Sequence, residues 1–535
     1  MPTDYTSKVP YYRFPDRLDE QEAALATNPL MQRLIAYRRR YADDRHRPIY
    51  HYVNPEHMLN DPNGLCYWQD RWHLFYQAYP PEDPRQHWGH AVSDDLIHWR
   101  DLPYAIYPNP EECCFSGSTL VEDDRVIAIY HGTKLGNMVA VADDPLLLNW
   151  TKLTGDAVIP FSAANDTALP YTVFDPCIWK KDGVYYSLSG GTLPNGPAGK
   201  QSRANFLLRS EDLEKWEYLH PFVEDDQYTI VGDDGACPYF WPIKNKHILL
   251  FFSHMSGGQY LLGDYETERD KFVVTDGGLF NFGPSTPSGV HAPSAAPNAD
   301  GSVTVIFNMN PGMPTEGWNQ IMTLPRRLTL DENDELRMEP DGDIASLRSD
   351  HRQVGAMVLP ANQEIVLDAI QGNAMELQLE INPGDAPMLE VNVLRSAQKE
   401  EFTRIAFFKD RGFRHRFRTP NATALNANSD LLKNRPIRQD SLIALETSYS
   451  STLPDVRARA PEVAPVHIKE GEMLQLRIFV DRSVVEVFVN GKQCVAARVY
   501  PGREDSVGVS LRAQGQDAEL LALNAWQMQD IYADG

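Results

Sequence analysis

A chain of 535 residues with 50 basic and 74 acidic side chains carries a formal charge of −24, which argues against nucleic acid and anionic membranes as partners, since both need basic patches. Its 42% hydrophobic and 23% charged residues exclude long disorder, and the length allows two or three domains. The opening MPTDYTSKVPYYRFPDRLDE lacks an apolar signal core, and no uncharged apolar run reaches bilayer length.

Residues 1–48 stand apart as a helical extension. Within them PLMQRLIAYRRRYADD has helical spacing and a basic end that complements the helix dipole, with Arg38, Arg39 and Arg40 expected on a solvated face. From residue 49 the chain breaks into short runs rich in β-branched and aromatic residues: RWHLFYQAY, DRVIAIYHG, GVYYSLSGG, KHILLFFSH and SVTVIFNM. SDDLIHW (93–99), ADDPLLLNW (142–150) and SEDLEKW (210–216) echo one another, each with acids, a leucine and a closing tryptophan between two strands. Their irregular spacing excludes a solenoid and suits propeller blades with unequal insertions.

The charged stretch 326–355 lacks periodicity and reads as a link. Beyond it AMELQLEI, MLEVNVLRS, TRIAFFKD and LIALETSYS alternate cleanly, and LQLRIFVDRSVVEVFVNGKQCVAARVY sets two strands across Asn490-Gly491, a strong hairpin signal. The expected architecture is all-β: a helical extension (1–48), a β-propeller (49–340) and a β-sandwich (356–535).

Several common machineries are absent. There is no Gly-x-Gly-x-x-Gly, no phosphate-binding P-loop, no His-Glu-x-x-His and no Gly-x-Ser-x-Gly. His51, His57, His73, His87, His90 and His98 lack ligand spacing, and Cys66, Cys113, Cys114, Cys177, Cys237 and Cys494 form no Cys-x-x-Cys. We expect no metal and no cofactor, and free thiols in a reducing cytoplasm. Acidic residues among aromatic ones remain. Aromatic walls rimmed with Asn, Gln, Asp and His suit a sugar, and glycosidic cleavage usually takes two carboxyl groups, one ionised and one protonated.

HMLNDPNGLCYW (57–68) resembles the Trp-Met-Asn-Asp-Pro-Asn-Gly signature of glycoside hydrolase family 32, the invertases and fructanases. In order follow LFYQAYP (74–80), HWGHAVSDDLIHW (87–99), FSGS (115–118), QYLLGDY (259–265), GWNQIMTLPRRL (317–328) and VDRSVVEVFVNGKQCVAARVYP (480–501), each similar to a family element. The resemblance covers roughly 50–520 and implies a five-bladed propeller followed by a β-sandwich. It places Asp61 as nucleophile of a retaining mechanism, Asp175 as transition-state stabiliser, and Asn60, Gln77, Trp88, Phe115 and Ser116 around a fructosyl unit.

Two departures follow. In VFDPCIW, Phe174 stands where the family has the Arg of Arg-Asp-Pro. In GDDGACPYFWPI, Ala236 stands where the family has the acid–base Glu before Cys237-Pro238. Alanine donates no proton, so Asp234 becomes the first candidate for proton donor and Asp233 the second, since side chains two apart on a regular strand share a face.

The reading is a cytoplasmic β-fructofuranosidase acting on sucrose or short fructo-oligosaccharides. The sandwich and the helical extension offer contact surfaces for a homo-oligomer. The alternatives are a fructosyltransferase, an enzyme processing fructose dianhydrides, or an inactive fructoside-binding protein.

Overall fold

Runs of alternating or continuous apolar residues separated by Gly, Pro, Asn and Asp give strands almost throughout. A computed structural model describes residues 6–161, 172–193, 197–200, 202–203, 205–416 and 437–533. The chain forms two units. One runs to Leu347 and takes back the C-terminal residues from Gln529; the other is Arg348–Met528.

In the first unit the described residues form five sheets, each four or five strands wide and consecutive in the chain. Their leading strands are β1 (Met58–Trp68), β2 (Cys114–Val121), β3 (Thr172–Lys181), β4 (Ala236–Ile243) and β5 (Val290–Pro297). Each packs on the next, and β5 returns to β1, so the ring closes as in a β-propeller.

All five leading strands break register with the neighbouring strand of their own sheet. The breaks fall between Leu59 and Pro62, Cys114 and Gly117, Val173 and Pro176, Ala236 and Tyr239, and Val290 and Pro293. At each, two residues face one, the arrangement of a β-bulge, which re-aims a side chain. The prolines at 62, 176, 238 and 293 lack an N–H and are tolerated where the ladder is interrupted. In β4 the kink comes one residue later relative to its proline, after Gly235 at φ 63° and through Cys237 at φ 50°.

The three echoed heptad-like stretches share one turn. Leu96, Leu147 and Leu213 are buried at positive φ (70°, 48° and 70°), a strained state for a bulky residue. Each is held by the preceding acid or one nearby: Asp95, Asp144 and Asp212 accept backbone N–H bonds from the residues that follow.

The N-terminal extension is two helices, α1 (Leu18–Thr27) and α2 (Pro29–Arg40), with Asn28 capping α2 by accepting from the Leu30 and Met31 N–H groups. Sequence reading found only the second. It also misplaced Arg38, which is not solvated: its guanidinium grips Asp101 with two nitrogens, donates to the Val53 carbonyl and lies 3.8 Å over the Tyr532 ring. The stretch read as a link, 326–355, carries strands Arg326–Leu330, Leu336–Pro340 and Arg348–Val354. Leu336–Pro340 and Arg348–Val354 are edge strands, where charged residues are common and mask the periodicity.

Among the described residues the second unit has two large sheets of seven and six strands and a two-stranded ribbon, Arg414–Arg416 with Ile437–Gln439. Its C-terminal motif is three strands, Leu474–Asp481, Val484–Val489 and Gln493–Arg498. The second turn has Asn490 and Gly491 at φ 51° and 60°, as that dipeptide predicts.

Candidate active site

The bulges collect the candidate residues at the ring's centre. In β1 the two bulged residues are Asn60 and Asp61, opposite Gln77. Ser116 Oγ donates to Asp61 Oδ2 at 2.7 Å, and Gln77 Nε2 donates to the same oxygen at 3.2 Å and to Ser116 Oγ at 2.8 Å. Asn60 Nδ2 donates to Gln77 Oε1 at 3.2 Å, and Asn60 Oδ1 accepts from Asn308 and Gln320. Asp61 is therefore aimed by a chain of amides. Its Oδ1 is buried and takes no hydrogen bond from the described residues; His291 Nδ1 lies 3.5 Å from it. That oxygen is left without a hydrogen-bond donor of its own beside a neutral ring. His291 is held in the neutral state by burial, which pushes its pKa down.

Asp175, bulged in β3, is likewise buried. Its Oδ2 accepts from the Cys237 backbone N–H at 3.0 Å, with the Cys237 thiol at 3.6 Å. Burial, with repulsion from Asp61 adding to it, pushes the Asp175 carboxyl up to about 7. The same thiol is 3.5 Å from Asp61 Oδ2, so Cys237 stands between the two carboxyl groups. Burial and the two acids push this thiol far above its usual range, keeping it a neutral S–H.

The two walls of the cleft differ. On the side of β2 and β3, His131 lies 6.2 Å from Phe115, 6.1 Å from Phe161 and 6.0 Å from Phe174, ring centre to ring centre. Phe161 and Phe174 are each 40% exposed, an apolar face beside Asp175. Trp88 stands behind this wall rather than on it: it is fully buried and its indole N–H holds the Phe115 carbonyl at 2.9 Å. On the side of β4 and β5 stand Ala236, His291, Asp234 and His254.

The two acids before Gly235 part company. Asp233 is fully buried and saturated: Oδ1 accepts from Ser253 and Ser256, Oδ2 from the Ile230 N–H and Gln259. It braces a loop and is not brought into the cleft. Asp234 is half-buried, and its Oδ2 pairs with His254 Nδ1 at 2.6 Å while Oδ1 accepts the His254 backbone N–H at 3.2 Å. Face alternation fails here because β4 begins only at Ala236. Gly190 explains how close the chains come: a Cβ there would sit 2.7 Å from the Gly235 carbonyl oxygen.

Sequence reasoning missed His254, His291 and Asn308. A signal existed: Asn-Asp-Pro, Phe-Ser-Gly, Phe-Asp-Pro, Ala-Cys-Pro and His-Ala-Pro recur once per sheet at the kinked strands. Among the described residues no cluster of His, Cys, Asp and Glu is placed to hold a metal, and no helix is long and apolar enough to cross a membrane.

The chain matches the Glycosyl hydrolases family 32 N-terminal domain over residues 51–340 and the Glycosyl hydrolases family 32 C terminal over 343–527. It is 27% identical to a sucrose-6-phosphate hydrolase of Escherichia coli, covering 90% of this chain and 94% of that protein. It is 26% identical to the levanase of Bacillus subtilis, covering 92% and 72%. In structure it is similar to fructan 1-exohydrolase IIa of Cichorium intybus (TM-score 0.76, 20% identity, 91% and 98% covered). A GH32 beta-fructofuranosidase of Bombyx mori, solved with sucrose, aligns with a TM-score of 0.67 at 22% identity, 94% and 99% covered. Two family models together spanning most of the chain, on a closed ring of sheets followed by a sandwich, make this protein a member of glycoside hydrolase family 32.

Proposed function

We propose that the protein is a retaining β-fructofuranosidase that hydrolyses terminal β-D-fructosyl linkages of sucrose or short fructo-oligosaccharides. The observation that carries this reading is the Asp61–Cys237–Asp175 arrangement: two buried carboxyl groups from separate bulges meeting at one thiol, one with an open oxygen. Asp61 Oδ1 attacks the anomeric carbon and forms a fructosyl-enzyme ester, which water then opens with overall retention. Gln77 and Ser116 hold the other oxygen so that attack costs little reorientation. Asp175 accepts hydrogen bonds from fructose hydroxyls and stabilises the oxocarbenium-like transition state when ionised.

The relatives' names support the substrate class: sucrose-6-phosphate hydrolase, levanase, fructan exohydrolase and raffinose invertase all denote fructoside cleavage. The described cysteines form no disulfide, which suits work in a reducing cytoplasm on small imported sugars. Ala236 at the family's Glu position favours the rival reading, a fructoside-binding protein without turnover. The test is product analysis on sucrose and 1-kestose with retention monitored by NMR. Free fructose released by the unsubstituted chain and not by Asp61→Asn supports hydrolysis. Longer fructosides indicate transfer, and binding without products overturns the enzyme reading.

A further inference from the structure

We propose that His254 is the proton-transferring residue of this site and that Asp234 is its positioning partner. The inference rests on the β-fructofuranosidase reading and goes beyond it, because it moves acid–base work from a carboxyl group to an imidazole.

At the family's acid position there is nothing to donate: Ala236 is buried with Cys237, Phe252 and Ala292. Asp233 has both oxygens saturated by donors. Asp234 is committed as an acceptor as well, since the His254 backbone N–H already points at Oδ1. The short contact of Oδ2 with Nδ1 therefore places a hydrogen on Nδ1, which leaves Nε2 as the nitrogen that gains or gives a proton. Two bonds from one carboxylate, one to the backbone and one to the ring, fix the imidazole more firmly than a surface ion pair would.

His254 is also where a donor belongs. Its ring centre lies 6.2 Å from that of His291, whose Nδ1 is 3.5 Å from Asp61 Oδ1, so one ring separates it from the nucleophile. Its side chain is 63% exposed, open to exchange with water. The charged groups facing it are Asp234, Asp61 and Asp175; His291 is neutral. The hydrogen bond to Asp234 first, then the charges of Asp234, Asp61 and Asp175, raise its pKa above the ordinary 6.5 despite some burial.

The steps balance. In the first, Asp61 Oδ1 bonds to the anomeric carbon as the glycosidic C–O bond breaks, and the Nε2 proton of imidazolium moves to the departing oxygen. In the second, neutral Nε2 takes a proton from water while the water oxygen bonds to the anomeric carbon and the ester bond to Asp61 breaks. Carboxylate and imidazolium are both restored. His is the commonest residue in this role elsewhere, and a pKa near working pH is what the role needs.

The test uses the full chain and two substrates, sucrose and 4-nitrophenyl β-D-fructofuranoside, whose phenol leaves with little help. For His254→Gln, kcat/KM on sucrose should fall by about 100-fold or more, and on the aryl fructoside by less than about 10-fold. The alkaline limb of the sucrose pH profile should vanish. Asp234→Asn should move that limb to lower pH, which a purely structural partner would not do. His254→Ala should regain sucrose turnover with added imidazole. Equal losses on both substrates, an unmoved alkaline limb, or no imidazole rescue would overturn the proposal. If these variants fail to fold, the limb of the unsubstituted chain decides: measured at two temperatures, it shifts for an imidazole and stays for a carboxyl. An unsubstituted chain that releases fructose from neither substrate sinks the β-fructofuranosidase reading and this one with it; one that is active while His254→Gln behaves normally sinks only this one.

Discussion

The backbone N–H of Cys237 donates to Asp175 Oδ2 at 3.0 Å, tying β4 to β3 at the floor of the cleft. That single bond does not offset burial beside Asp61, and the carboxyl titrates at about 7. An acid raised above its unfolded value holds its proton more tightly in the fold. Stability then falls as pH rises from about 4 to about 7 and is level beyond. Asp175→Asn keeps an acceptor for Cys237 and carries no charge. It should stabilise the protein at pH 8 by on the order of 2–4 kcal/mol and give no gain at pH 4, as read by urea unfolding at both pH values.

Asp61→Asn should lower kcat on sucrose by at least about 10³-fold, because the nucleophile itself is lost. The amide still accepts from Ser116, so the fold should persist, and circular dichroism should match the unsubstituted chain. A loss on the aryl fructoside as large as on sucrose is expected, since attack precedes any question of leaving-group protonation.

Gln77 donates to both Asp61 and Ser116 and accepts from Asn60. Gln77→Met fills the space without these bonds. Leaving buried polar partners unmet should cost about 1–3 kcal/mol of stability. The nucleophile also loses a director, so kcat should fall while KM changes less, measurable in one Michaelis–Menten series.

Asp233→Ala separates bracing from chemistry. Four donors lose their acceptor, so stability should fall by about 2–4 kcal/mol. The ratio of kcat/KM on sucrose to that on the aryl fructoside should stay within about threefold, well short of the hundredfold change expected for a lost acid. A collapse of that ratio would return Asp233 to the role of proton donor.

Phe174→Arg restores the cation that the family places beside Asp175. A guanidinium next to an Asp lowers its pKa by about 1–3 units, so the acid limb of kcat/KM should move down by about one unit or more. The aryl fructoside should bind more weakly, by roughly 0.5–1.5 kcal/mol, because one ring of the aromatic wall is gone.

Much of the molecule was legible in its residues, and the failures have physical causes. Arg71–Tyr79, Lys246–Ser253 and Val303–Met309 read as strands because alternation and β-branching persist along their length. Arg38 was misread because its spacing matches a solvent face, and only the fold brings Asp101 and Tyr532 to it. Gln77 and Ser116 meet Asp61, and Trp88 holds the Phe115 carbonyl, contacts that motif spacing alone does not show. Alternation ranks Asp234 above Asp233, but alternation presumes a ladder, and none exists before Ala236. His254 was invisible for the same kind of reason: it follows the end of its strand, and its bond to Asp234 spans 20 residues.

The ring of kinks separates two jobs that most strands combine. A residue inside a ladder answers to its neighbours for stability, whereas the pair skipped at each kink answers mainly to whatever occupies the central hollow. Exchanging Arg for Phe at 174, one of such a pair, should therefore alter reactivity while the scaffold hardly registers it. Such a scaffold can rewrite its chemistry one spoke at a time.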